Sequence, residues 1–121
     1  YKMNDRQLLG RRGEDLALDS LLARGMWLRE RNWRSGHLEI DLVMEDETAL
    51  RIVEVKSLKS GDEFSPLENM TSLKRRNLIA AARRYYRFHP TEKEVKFDVV
   101  TVVFGIETKI ECIPDAFMAM E

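Results

Sequence analysis

Two carboxylates and an amine occur where a folded chain usually keeps apolar side chains. Asp41 lies within Glu39-Ile40-Asp41-Leu42-Val43, while Glu54 and Lys56 lie within Ile52-Val53-Glu54-Val55-Lys56. Both runs are aliphatic and β-branched and read as strands of a core, where an ionised acid persists only beside something positive. Two acids converging on one point could hold a divalent ion through oxygen, leaving other positions for water and phosphate oxygens in the manner of Mg²⁺. The other reading is an ion-pair cluster in which Lys56 neutralises Glu39 or Glu54.

The two runs are joined by Asp46-Glu47-Thr48-Ala49, which reads as a hairpin turn. A turn centred between Glu47 and Thr48 sets Asp41 opposite Glu54 and Glu39 opposite Lys56. Opposed residues share a face, with β-carbons about 4.5–5.5 Å apart. Carboxylates that close repel strongly unless a cation lies between them. A register slip of one residue would separate the pair.

Glu-x-Lys alone carries little information, and it recurs at Glu94-Val95-Lys96 and Glu107-Thr108-Lys109. Those two fall at a polar strand start and in a turn after Gly105, and both read as exposed alternation. Glu54-Val55-Lys56 differs because Leu50 and Ile52 precede it on the same face and carry that face inward.

The helical segments add further candidates. Thr71 to Phe88 has a helical period closed by Pro90, and Lys74 shares a stripe with Leu78, Ala81, Ala82 and Tyr85 that faces the sheet, the other reading being a lysine that snorkels from the helix start. Arg76, Arg83 and Arg87 form a separate outward stripe. No acid occurs from Asn69 to Thr91, although Lys74, Arg75, Arg76, Arg83, Arg84 and Arg87 fall there. A solvated helix face normally interleaves acids, so this one suits a polyanion. Asn4 to Arg24 is a first helix, capped by Asn4 or Asp5 and stopped at Gly25, with Leu9, Leu16, Ala17 and Leu21 on its apolar face. Glu14 sits at the margin of that face, either as a third acid of the site or as a solvated residue. Gly10 and Gly13 each cost about 1 kcal/mol relative to alanine in a helix, tolerable where a backbone or phosphate approaches closely.

These elements fit one compact domain. The 121 residues, 44% hydrophobic and 34% charged, are too few for two independent cores. Three strands are predicted over Met26–Arg34, His37–Glu45 and Leu50–Ser57, a fourth over Glu94–Phe104, and a short fifth over Thr108–Ile113, with a Met-rich tail beyond Pro114. Leu58 to Met70, containing Gly61, Asp62 and Pro66, reads as a binding loop. A helix following the third strand crosses over to a parallel neighbour, giving an α/β fold with a mixed sheet and helices on both faces. The net charge of −1 confines any nucleic-acid binding to a local basic surface. Lone Cys112 and two separated histidines, His37 and His89, exclude an internal disulfide and a Cys/His zinc site. No apolar run approaches about eighteen residues and no secretory signal opens the chain, so a cytoplasmic protein without a membrane span is expected.

Taken together, Gly13-Glu14 with Asp15-Leu16-Ala17, Arg31-Asn32-Trp33-Arg34, Glu39-Ile40-Asp41-Leu42, Val53-Glu54-Val55-Lys56, Lys74-Arg75-Arg76 and Phe97-Asp98-Val99-Val100 resemble the bacterial YraN-like family of predicted endonucleases. That family is similar to archaeal Holliday junction resolvases within the PD-(D/E)xK nuclease superfamily. Leu38 stands where relatives usually have glycine, and Ile40 where the superfamily name has proline. The resemblance spans about Leu8 to Val103 and implies a restriction-endonuclease-like αβββαβ core. It implies that Asp41 and Glu54 bind Mg²⁺ or Mn²⁺, that Glu14 assists the metal, and that Lys56 serves the attacking water. The expected function is metal-dependent hydrolysis of DNA phosphodiesters, structure-selective on branched or junction DNA in repair or recombination. Lys74, Arg75, Arg76 and Lys59 would contact nucleic acid, and the likeness to resolvases suggests a homodimer. A catalytically silent nucleic-acid-binding module and a structural domain built on ion pairs are the other readings.

Overall fold

The computed structural model describes residues 3–62 and 70–119. Helix α1 (Asp5–Ala23) starts at Asn4, whose side chain accepts from Gln7 N–H while the Gln7 side chain accepts from Asn4 N–H, at 2.8 and 3.0 Å. This reciprocal cap satisfies two backbone donors that a helix start otherwise leaves open. The helix ends where Gly25 takes a left-handed φ of 91°. Strands β1 (Trp27–Ser35), β2 (Leu38–Glu45) and β3 (Ala49–Lys59) follow as an antiparallel meander. Helix α2 (Ser72–Phe88), capped by the Thr71 hydroxyl on Lys74 N–H, crosses over to β4 (Glu94–Phe104), which lies parallel to β3. Strand β5 (Lys109–Phe117) returns antiparallel on the far edge.

The result is a five-stranded mixed sheet in the order β1-β2-β3-β4-β5. Among the described residues, one helix lies on each face. Leu50, Ile52, Phe97 and Val99 pack beneath Leu78, Ile79, Ala82 and Tyr85 of α2. Val53, Val100 and Val102 pack beneath Ala17 and Leu21 of α1. Residues in β3 and β4 are apolar on both faces, as a doubly covered parallel pair requires. This is the α/β architecture and αβββαβ order expected from the sequence.

Two boundaries differ from expectation. Strand β3 continues through Leu58 and Lys59, beyond the end at Ser57 expected from the sequence. Residues 63–69 of the expected loop, Pro66 among them, lie outside the described residues. Strand β5 runs past Pro114 to Phe117, because an edge strand tolerates a residue without an N–H. Phe117 stacks on Phe97 at 4.9 Å, and Asp115 N–H donates to Asp98 at 2.8 Å, which fastens the tail to β4.

Gly13 sets how closely α1 sits on β3. A β-carbon there would fall 1.8 Å from Ser57 Oγ and 2.9 Å from Ser57 Cβ. Gly13→Ala is expected to destabilise the fold by about 1–3 kcal/mol through overpacking, outweighing the gain of about 1 kcal/mol in helix propensity. Combining it with Ser57→Gly should cost less than the sum of the single changes in urea unfolding. Simple additivity would show that the contact does not limit the approach.

Candidate active site

Asp41 occupies a fault in the sheet. Leu38, Ile40 and Val43 are buried beneath α2, whereas Leu42 and Met44 are buried beneath α1. Strict alternation would put Ile40 and Leu42 on one face, so β2 turns over at Asp41. Two neighbours mark the same place. Asn32, between the β1 residues that pair with Leu42 and Ile40, has a left-handed φ of 54°. On the other side, the β2–β3 ladder runs from Glu45↔Leu50 to Leu42↔Val53 and stops before Asp41.

The register expected from the turn is therefore correct, but Asp41 and Glu54 are not a rung of the ladder. Asp41 reaches sideways instead, its Oδ2 accepting from Val55 N–H at 2.8 Å in place of a backbone carbonyl. Glu54 and Lys56 follow Ile52 on the α2 side, their side chains 3.5 Å apart. Glu39 lies at the margin between two clefts, one of about 190 Å³ shared with Glu54, Lys74, Asn77 and His37, the other against α1.

The charges at this point are in conflict. Burial, then the nearby charge of Glu54, raises the Asp41 carboxyl to about 8, against the lowering effect of the Val55 hydrogen bond. Glu14 and Glu39 add smaller repulsions in the same direction. At neutral pH, with no further cation, Asp41 holds a proton. From the other side, the Lys56 amine beside it and then burial keep Lys74 below the ordinary lysine range, while Glu54 and Asp41 pull it upward. Lys74 is thus brought from α2 into the same field as Asp41, Glu54 and Lys56.

The remaining expected residues are placed differently. Glu14 faces the site across α1, and its carboxylate accepts from Arg31 Nε at 3.2 Å. Arg75 turns back on its own helix start, donating to the Met70 carbonyl at 2.9 Å and the Ser72 hydroxyl at 3.3 Å. Arg76 is exposed, as are Arg83 and Arg87. Lys59 is exposed at the end of β3, where its backbone N–H donates to Asp62. Of the other Glu-x-Lys pairs, Glu94 and Lys96 form a 3.9 Å contact with Glu94 largely in solvent.

Whether these residues suit a divalent ion can be judged from the donors. Asp41 and Glu54 offer only oxygen and carry mutual repulsion that a cation would remove. Among the described residues, no three His, Cys, Asp or Glu side chains come together to form a ready-made cage. Glu14 accordingly does not complete a three-acid group with them. Two carboxylates and an otherwise open shell fit Mg²⁺ or Mn²⁺, which usually keep several waters.

Sequence reasoning missed Asn32 and the fault at Asp41. The only available signal was the residue type, since asparagine tolerates left-handed backbone better than most. It also treated Lys74 as a backbone-phosphate contact without seeing its approach to Lys56.

A mixed sheet in αβββαβ order, with carboxylates and lysines gathered where its central hairpin parts, defines a restriction-endonuclease-like α/β protein with a polar centre. The family model described as "Uncharacterised protein family UPF0102" matches residues 13–102. A UPF0102 protein of Bacteroides fragilis is 38% identical over 116 residues, covering 95% of this chain and 96% of its own length. Another from Anaeromyxobacter dehalogenans is 43% identical over 114 residues, covering 93% and 85%. The chain belongs to the UPF0102 family. Among the described residues, no helix is long and apolar enough to cross a membrane.

Proposed function

We propose that this protein is a metal-dependent endonuclease of the PD-(D/E)xK type, hydrolysing phosphodiester bonds in DNA. The observation that carries the reading is the Asp41 side chain, set at the parting of β2 and β3 beside Glu54, where burial and that neighbour push its carboxyl up to about 8. Perturbed carboxyls cluster at functional sites.

Asp41 and Glu54 would hold the Mg²⁺ or Mn²⁺. Such an ion supplies Lewis acidity toward a phosphoryl oxygen and lowers the pKa of a water. Lys56 is placed to orient the attacking water and to offset negative charge growing on the phosphate. Val55 N–H fixes one Asp41 oxygen and so aims the other. Lys74, from the helix above, meets a flanking phosphate, and Arg76 extends that contact outward. Such contacts set affinity and salt dependence without reading sequence.

Incubating the purified protein with junctions, flaps, single strands and duplexes, in Mg²⁺, Mn²⁺ or a chelator, tests the reading. Cutting of at least one shape, lost in the chelator, is the expected result. Tight, salt-sensitive binding without cutting would instead favour a silent binding module, and neither would favour the structural reading.

A further inference from the structure

Besides the cleft beneath α2, the acidic centre opens on a second one. A cleft of about 530 Å³ lies between the first turns of α1 and the ends of β1 and β2, lined by Gln7, Gly10, Arg11, Asn32 and Arg34 together with the acids Glu14 and Glu39. Glu39 also lines the α2-side cleft, so the two meet at the margin of the site. Its volume falls within the range of about 300–1,000 Å³ that receives ligands.

Four residues of its lining have features that packing does not require. Gly10 stands inside α1 with open space where a β-carbon would be, unlike Gly13, so no protein neighbour calls for glycine there. A glycine in such a helix position is destabilising, and its use is to let something approach the backbone. Arg11 makes no ion pair among the described residues, its guanidinium resting on Met3 Sδ at 3.8 Å. Arg34 has one loose contact, to Glu39 at 3.4 Å, with 70% of its side chain exposed. Asn32 adds the left-handed backbone already noted, a conformation that concentrates at sites of function. Nearby Arg31, by contrast, is held by Glu14 and Asp15 and is not available.

We infer that the cleft between α1 and the β1–β2 end seats the polynucleotide backbone on the far side of the reacting phosphate, with Arg11 and Arg34 facing its phosphates and Gly10 admitting it against the helix. This rests on the nuclease reading of the centre. The strand then runs from Lys74 and Arg76, across Asp41 and Glu54, to Arg11 and Arg34. A path open on both sides accepts a strand in its interior and does not require an end.

Binding without cutting tests the path. Fluorescein-labelled single strands and four-way junctions, in DNA and in RNA, are titrated by anisotropy in chelator over a salt series. Each of Arg11→Glu and Arg34→Glu should flatten the slope of log K against log salt by about 0.7–0.9, one phosphate each. Gly10→Leu should weaken binding several-fold with no change in net charge. Arg24→Glu, at the opposite end of α1, should leave the slope unchanged, and thermal melting checks that all variants fold. If wild type binds and Arg76→Glu weakens it while the Gly10, Arg11 and Arg34 variants do not, the α1 path is wrong and the nuclease reading stands. If wild type binds none of the probes, both fall.

Discussion

Asp41→Asn should make the protein more stable and less active in a single step. In the folded chain the Asp41 carboxyl is raised to about 8, by burial first and by Glu54 second, whereas an unfolded aspartate titrates near 3.9. Between those values the folded state keeps a proton that the unfolded state has lost. Stability therefore falls as pH rises from about 4 to about 8, and the full cost is present above that window. Lys74 moderates it, while Glu14, Glu39 and Glu54 sustain it. Asparagine keeps an oxygen for Val55 N–H and carries no charge at any pH. Urea unfolding should show the variant gaining on wild type across this range, reaching on the order of 2–4 kcal/mol at pH 9. Parallel pH profiles would mean that Asp41 is ionised without strain.

The same change should lower Mg²⁺-dependent cleavage by roughly 10³-fold, since it removes one of the two proposed ligands. Salt-sensitive binding of DNA should persist. A gain of stability paired with a loss of turnover is the signature of a site kept under strain for function. An ordinary structural ion pair would lose stability on the same substitution.

The second large effect belongs to a residue on the strand beside β3, level with Val53, that takes no part in this chemistry. Asp98 is almost fully buried on β4, and Arg51 bridges it to Asp46, with contacts of 3.1 and 2.8 Å. Asp98 also accepts from Asp115 N–H, which ties down β5. Asp98→Ala would leave the Arg51 charge partly uncompensated in a largely buried position and free the end of β5. The expected loss is about 3–5 kcal/mol. Adding Arg51→Met should cost much less than it does alone, because the guanidinium is then no longer needed. A cycle of single and double variants in urea measures this coupling, and a coupling near zero would show that the pair contributes nothing. Asp98 belongs to one of the motifs by which the sequence resembles its family, yet its contacts are those of a structural brace.

Much of this was legible in the chain because alternation and turn length are strong constraints. Leu50 and Ile52 carry one face of β3 inward, and a short turn at Asp46 to Ala49 leaves little freedom of register, so Leu42 meets Val53 as expected. The stripe from Leu78 to Tyr85 likewise fixes which side of α2 is buried. What could not be read is the turning over of β2. Alternation is a rule about regular strands, and the departure is produced by Asn32 on a neighbouring strand together with the Asp41 side chain replacing a backbone acceptor. Neither leaves a pattern within β2 itself. Gly13 was legible only as a close approach, and the approaching group is Ser57 of the protein's own sheet. The extension of β5 was hidden by Pro114, which argues against a strand in general and is permitted at an edge.

Titration calorimetry with Mn²⁺ at neutral pH, repeated in buffers of different ionisation enthalpy, addresses the metal site directly. Wild type should bind one ion and release about one proton as Asp41 ionises, with affinity rising toward pH 8, and Asp41→Asn should lose both the binding and the proton. Binding of equal strength in the variant, or no binding by a folded wild type, would contradict a cation held between Asp41 and Glu54.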